Sequence, residues 1–390
     1  MVPSVFTFKP QPSTSAVTRG ERAARRQLWQ TVDVQPDEPA ACDTEFAAVD
    51  VCAMEVGMEV DIDTSENKPP DNNSGSDSPA TQEQGIQCSL PHQGILHVDS
   101  FSENDRIILY YTGFKNYEQF MLLYSILGPC VSHLPVNCHL KPQDQLFMTL
   151  IKLRTAKDDF ELSILFDISE KVVSQVFICW LNFLFYQLSE IDFWPSRLVV
   201  SETMPVQFKA KFPTTRVIID ATEIAIQKPG HVRNQSASYS SYKNTNTMKV
   251  LVGCTPRGLV SFVSDAYGGS TSDRQICERS DLISKSLFSA GDSIMADRGF
   301  NVQDLFATKN VHVNIPSFLK GKSQLTAAEV VKDRRIASKR IHIERVIGLA
   351  KTFKILKQPV PAKRIRLGNR IIKVCFLLCN FKTSIVGSYA

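Results

Sequence analysis

Three hundred and ninety residues suffice for two ordinary domains plus tails. Apolar residues make up 43% and charged residues 22%, a globular composition; glycine (18) and proline (20) together stay below a tenth, which excludes collagen-like and low-complexity architectures. The net charge of +4 hides an asymmetry: residues 31–80 hold 13 acids and one base, Lys68, leaving 27 acids against 43 bases elsewhere. That division predicts a polyanionic partner for the body and a solvated acidic leader before it.

Residues 1–95 combine a basic patch (Arg19, Arg22, Arg25, Arg26), the acidic block and the tract KPPDNNSGSDSP. Their apolar content is too sparse and unpatterned to offset the entropy of ordering, so this leader is predicted to be disordered, acting as a solubilising tail or a docking segment. The first residues show no basic-then-apolar signal peptide. Ten cysteines stand singly, with no CxxC pair and no Cys/His zinc spacing, which predicts reduced, buried thiols in an intracellular protein.

From about residue 103 to 190 the pattern is helical. Asn116 is placed to cap a helix over YEQFMLLYSIL, stopped by Gly128-Pro129, and another helix starts near Pro142 with Leu146, Leu150 and Leu153 on one face. A short helix at Phe160–Phe166 leads through Asp167-Ile168 to Ser169, a good cap for a long helix bearing Val172, Val176 and Trp180. Short helix, tight turn and capped longer helix is the pattern of a helix-turn-helix, although a plain helical bundle reads the same way. The uncharged run from Val172 to Ser189 is interrupted by polar residues and carries an apolar stripe at helical spacing, so it reads as a core helix, and the protein is expected to be soluble, without a membrane partner.

After Pro213 the period changes. Strands are predicted at Val217–Ile226, Met248–Cys254, Leu259–Ala266, Ser293–Asp297 and Val311–Ile315. Helices are predicted from about Asp273, over Val302–Lys309, and from about Ala327 to Ile385. Three strands, helix, strand, helix, strand, helices is the order of a mixed α/β sheet opening with a meander.

Several acids need explanation, because a carboxylate inside an apolar strand is costly unless paired or metal-bound. Asp220 lies mid-strand and Asp297 ends another apolar strand, followed by Arg298-Gly299; carboxylates at neighbouring strand ends converge on one sheet edge. A structural salt bridge is the competing reading for Asp220. Glu344 sits in RIHIERVIGLAKTFKIL with Arg340 at i−4 and Lys351 at i+7; a solvated amphipathic helix would also explain it. Lys332–Lys373 holds 14 bases against Asp333 and Glu344, a surface that attracts phosphates. Asp273 falls in the first turn of its helix after Gly268-Gly269, read as a flexible turn, and interaction with the helix dipole is its alternative role; Asp265 is a weaker competitor. Clustered carboxylates without thiolate or imidazole favour Mg²⁺ or Mn²⁺ over zinc. Such a set beside a basic surface suits two-metal phosphodiester chemistry. No P-loop, GxSxG, GxGxxG or HExxH occurs, which excludes support for ATP hydrolysis, serine hydrolysis, dinucleotide use and zinc proteolysis.

The ordered motifs IIDATEI, SSYKNTNTMKVLVGCTPRG, SDAYGGSTSDR, IMADRGF, VNIPSF and RIHIERVIG, following DQLFMTLIKLR, resemble the PIF/Harbinger-type DDE superfamily endonucleases, a group of transposases and transposase-derived proteins. The resemblance implies an RNase H-like fold over 213–385 behind a helix-turn-helix region over 103–190. It also implies catalytic acids at Asp220, Asp297 and Glu344, with Asp273 as a further metal-binding position. Arg298, Arg340, Arg345, Lys351 and Lys243 are candidate phosphate contacts, and Tyr239 and Asn246 either touch substrate or tether their loop. The implied activity is cleavage of DNA phosphodiester bonds, with or without joining, in the nucleus. A separate Myb-like protein is an implied partner, and oligomerisation is compatible with the pattern. The zinc-containing module that relatives often carry has no counterpart in the Cys/His spacing of residues 1–95. A domesticated DNA-binding or regulatory protein without strand transfer is the second functional class, and an RNA-cleaving RNase H-like enzyme a third.

Overall fold

The computed structural model describes residues 96–284, 287–319, 321 and 323–389; the acidic leader predicted over 1–95 lies outside the described residues. Five helices open it: α1 (Asp105–Thr112), α2 (Tyr117–Ile126), α3 (Pro142–Thr155), α4 (Asp159–Phe166) and α5 (Glu170–Glu190). Their starts follow local chemistry. Asn116 accepts from the Gln119 amide, Pro142 occupies the first position of α3, where no amide bond is lost, and Ser169 accepts from the Val172 amide. Asp167, in the left-handed region at φ 49°, ends α4 and turns the chain into α5.

The long helix α5 is long and apolar enough to cross a membrane by length and composition. Here it is a core helix, burying Val173, Val176, Phe177, Trp180, Leu184 and Leu188. Trp180 Nε1 donates to Gln145 Oε1 at 2.9 Å, tying α5 to α3. The ring of Phe147 meets those of Phe101, Tyr111, Phe120 and Phe166, and burying such a side chain contributes about 2–3 kcal/mol.

The sheet has the order β2-β3-β1-β6-β7, with β4 and β5 also paired to β3. Strand β1 (Thr215–Ala225) pairs antiparallel with β3 (Thr245–Cys254), which carries β2 (Tyr239–Ser240), β4 (Val260–Val263) and β5 (Tyr267–Gly268). On its other side β1 pairs parallel with β6 (Ser293–Met295), and β6 with β7 (His312–Asn314). Three helices matter for the site: α6 (Asp273–Arg279), α7 (Ala327–Ala350) and α8 (Ile365–Leu377). This is the mixed α/β sheet with flanking helices expected of the RNase H-like class. Residue alternation along β1 sends Val217 and Ile219 into a cluster with Ile276, Ile294 and Phe306, while Ile218 and Ile224 join a larger cluster containing Ile343, Ile372 and Phe376. That larger cluster also holds Trp180, Phe147 and Leu184, so the helical region and the sheet share one continuous core through packing of α5 on α8.

Two expectations need correction. The thiols are free, but not all are buried: Cys130 is exposed and Cys138 half-buried, because both lie in the irregular stretch between α2 and α3 rather than in a core element. The predicted third strand Leu259–Ala266 is only the shorter β4, because the chain leaves the ladder after Val263, where the Ser264 hydroxyl accepts from the Leu251 amide; it pairs with β3 again as β5, beyond the predicted end.

Candidate active site

Asp220 sits on β1 with Ile218 on the sheet face that α7 and α8 cover. Parallel pairing matches Ile218 with Met295; two residues further along both strands brings Asp297 alongside Asp220. The two acids far apart in sequence thus meet where the chain leaves the short strand β6 beside the middle of the longer β1. Burial pushes the Asp220 carboxyl up to about 6; Arg340 and the Ala221 amide oppose this, and the nearby Asp297 and Asp273 carboxylates add to it. Asp273 arrives from the other side of the sheet on α6, whose start is fixed by a reciprocal cap between Ser272 and Gln275. Asp273 lies against the chain just after Asp297: a Cβ built on Gly299 would stand 3.0 Å from Asp273 Oδ2.

Side-chain cations hold these acids. Arg340 Nη1 donates to Asp297 Oδ1 at 2.9 Å, and Arg340 Nη2 lies 3.7 Å from Glu344 Oε1 one helical turn along α7. Asp297 Oδ1 also accepts from the Arg298 amide at 2.7 Å. Lys249 on β3 reaches Asp273, with Nζ 2.6 Å from Oδ1, off the hydrogen-bonding direction, so the contact is ionic. Lys351, at the C-terminal end of α7, is half-buried; burial and Lys243 lower its proton affinity, while Glu223 and Asp220 raise it. Glu344 remains 55% exposed.

The chemistry of this set fits a hard divalent cation. All four donors are carboxylates, and the proton affinity of Asp220 records repulsion from Asp297 and Asp273, which a cation would relieve. Their side chains are not drawn onto one point: among the described residues no three His, Cys, Asp or Glu side chains form a ready metal cluster, since Arg340 and Lys249 engage Asp297, Glu344 and Asp273.

The cationic candidates divide. Arg340 and Lys351 belong to the acid cluster, and the Lys243 charge acts on Lys351 while its ammonium stacks on the Tyr242 ring. Arg298 turns away, over the Phe318 ring and 4.0 Å from Asp333. Arg345 is exposed on the flank of buried His342. Asn246 is a tether, its amide donating to Gln235 O and Ser238 Oγ, while Tyr239 is exposed. Gly268-Gly269, expected to flex, is tightly packed: a Cβ on Gly269 would stand 2.1 Å from Thr247 Oγ1 and 2.6 Å from Ser238 O. Two participants escaped the sequence reading. Lys249 and Glu223 face each other across β1 and β3, and Glu223 Oε2 accepts from Thr247 Oγ1. A lone lysine in the apolar run TMKVLVGC was the available signal for the first.

The helix-turn-helix differs in charge from α7. Between Lys157 and Lys171 it carries five acids, Asp158, Asp159, Glu161, Asp167 and Glu170, against those two lysines. Attraction of phosphates resides instead in the segment from Lys332 to Arg366, where eight exposed Lys and Arg side chains form no ion pair or side-chain hydrogen bond among the described residues: Lys332, Arg334, Arg335, Arg345, Lys354, Lys357, Lys363 and Arg366.

Fold and site together define an α/β protein with carboxylates from two neighbouring strands and two helices beside a cationic helix and behind a helix-turn-helix. Residues 219–380 match the family described as DDE superfamily endonuclease, and residues 138–190 match the helix-turn-helix of DDE superfamily endonuclease. These two segments carry an endonuclease domain and a helix-turn-helix of the DDE superfamily endonucleases, domains that imply DNA as partner. No curated protein and no solved structure matches it.

Proposed function

We propose that the chain is a divalent-metal-dependent DNA endonuclease of the Harbinger transposase type, acting in the nucleus. The observation that carries this reading is the meeting of Asp220 and Asp297 on adjacent parallel strands with Asp273 close enough to raise the proton affinity of Asp220. Asp220, Asp297 and Glu344 would hold the catalytic metal, Mg²⁺ or Mn²⁺, with Asp273 as a further ligand. Bound there, two such ions would supply Lewis acidity for the attacking water or 3′-hydroxyl and for the leaving oxygen. The rest falls to the chain itself. Asp220, ionised above about pH 6, is the group able to hold positive charge in a half-buried setting. Arg340, freed from Asp297 and Glu344, is within one side chain's length of phosphate oxygens presented to those acids. The eight exposed cations from Lys332 to Arg366 bind the DNA backbone and fix its path. Whether cut ends are then joined follows from the same acids acting on a 3′-hydroxyl rather than water.

The test compares Mg²⁺- or Mn²⁺-dependent nicking of DNA by the wild type and Asp220→Ala. Loss of nicking in the variant with unchanged DNA binding is expected. Equal nicking by both proteins rejects the assignment, and DNA binding without nicking by either leaves the domesticated DNA-binding class as the answer.

A further inference from the structure

Two features of opposite charge belong to one chain. The first is the set of eight exposed cations between Lys332 and Arg366 that form no ion pair or side-chain hydrogen bond among the described residues. The second is the acidic block of residues 31–80, with 13 acids and one base, joined to the described chain at Leu96. Leu96 is rooted in the helical region: its amide donates to Leu165 O on α4 at 3.1 Å, and the next residues are pinned by Asp144, which accepts from the Val98 amide at 2.9 Å. The opposite end of α4 touches the basic segment, where Asp159 Oδ2 accepts from Arg364 Nη2 at 2.6 Å. Asp159 and Leu165 are six residues apart on one helix, about 9 Å along its axis. The root of the leader therefore lies one short helix from Arg364 and its exposed neighbours Lys363 and Arg366.

We propose that the acidic block of the chain's own leader occupies the Lys332–Arg366 surface and competes there with the DNA backbone. The tether permits it. Eighteen residues, 78–95, lie between Asp77 and Leu96, and a random-coil chain of that many residues would span about 25 Å on average. Charge complementarity selects this occupant: the leader's own acids, present at an effective concentration near millimolar, meet a surface holding 14 bases against two acids from Lys332 to Lys373. The acidic helix-turn-helix face between Lys157 and Lys171 repels the same block, which leaves the α7–α8 side as its seat. DNA then displaces an anion already in place, so fewer small counter-ions are released on binding. This inference rests on the reading of the α7–α8 surface as the DNA backbone site.

The test uses the full-length chain beside a variant in which the acids from Asp33 to Asp77 become Asn or Gln, keeping the tether length. The probe is a duplex DNA fragment with Ca²⁺ in place of a catalytic metal. At low salt the neutralised leader is expected to bind DNA roughly tenfold more tightly, with a steeper fall of affinity as salt rises, the two proteins converging at high salt. Carbodiimide coupling of carboxylates to amines in the full-length protein is expected to join leader acids to Lys332, Lys354, Lys357 or Lys363, and added duplex is expected to suppress those products. Equal affinity and salt dependence overturn the proposal. So does absence of the crosslinks, since tighter binding alone would then be long-range repulsion, and so do crosslinks found only between isotopically distinguishable copies. Failure of both proteins to bind DNA sinks the backbone-site reading, whereas binding by both without crosslinks sinks this inference alone.

Discussion

Asp220 makes the proposed site expensive, and the cost is measurable without any substrate. An exposed aspartate releases its proton near 3.8; inside the fold the same carboxyl holds it to about 6, chiefly because burial disfavours the charge. Each tenfold in proton affinity corresponds to about 1.4 kcal/mol, so keeping Asp220 ionised at pH 8 costs the folded state about 3 kcal/mol. The sign follows from the raised value: the folded state is favoured in full below about pH 3.8, where Asp220 is protonated in both states, and loses that advantage as pH rises to about 6. Asp220→Asn removes the charge, keeps the shape and keeps an oxygen for the Ala221 amide. The variant is expected to be more stable than the wild type by about 3 kcal/mol at pH 8 and by only about 0.5 kcal/mol at pH 4, while nicking is lost. Denaturant unfolding of both proteins, with a chelator present, across pH 4 to 8 measures the gap. A variant no more stable at pH 8, or a gap independent of pH, refutes the reasoning.

Other outcomes follow from the same geometry. Arg340→Gln removes the 2.9 Å partner of Asp297; Mn²⁺ binding followed by electron paramagnetic resonance is expected to tighten while nicking falls, and weaker Mn²⁺ binding contradicts the role given to Arg340. Gly269→Ala forces a Cβ against Thr247 Oγ1 and the Ser238 carbonyl, so a loss of about 1–3 kcal/mol is expected in thermal or denaturant unfolding. Asn380 both donates to and accepts from the Val260 backbone, in the manner of a neighbouring strand. Asn380→Ala leaves that edge without partners, and a loss of about 1–3 kcal/mol with faster hydrogen exchange at the Val260 amide is expected.

Local chemistry made much of the fold readable. The caps at Asn116 and Ser169 and the stripe Val173-Val176-Trp180 depend only on residues within a few turns, and each lies where its spacing places it. The strand bearing Asp220 was readable from its β-branched run, and the acid stood out because nothing nearby in sequence neutralises it. Its partners were harder. That Asp297 falls opposite Asp220 is set by the parallel register of β1 and β6, about 75 residues apart and invisible to local pattern. The part of Arg340 was half visible: spacing gave its proximity to Glu344, whereas its bond to Asp297 depends on how α7 crosses the sheet. Lys249 was missed because a lysine in a strand normally reads as the solvent-facing member of the alternation, and only the arrival of α6 gives it Asp273. Gly269 misled in the opposite direction, because a glycine pair signals freedom or close approach equally well, and here it is close approach.

The single interior shared by α5 and α8 has a mechanical corollary. A module that grips DNA and a module that cuts it, when joined by a floppy linker, can work at many separations. With Trp180, Leu184 and Phe376 packed into the same mass, no such play exists, and in the proposed nuclease the offset between the gripped base pairs and the severed bond becomes a fixed length, a ruler built of side chains. Widening that offset would require rebuilding the interior rather than lengthening a loop.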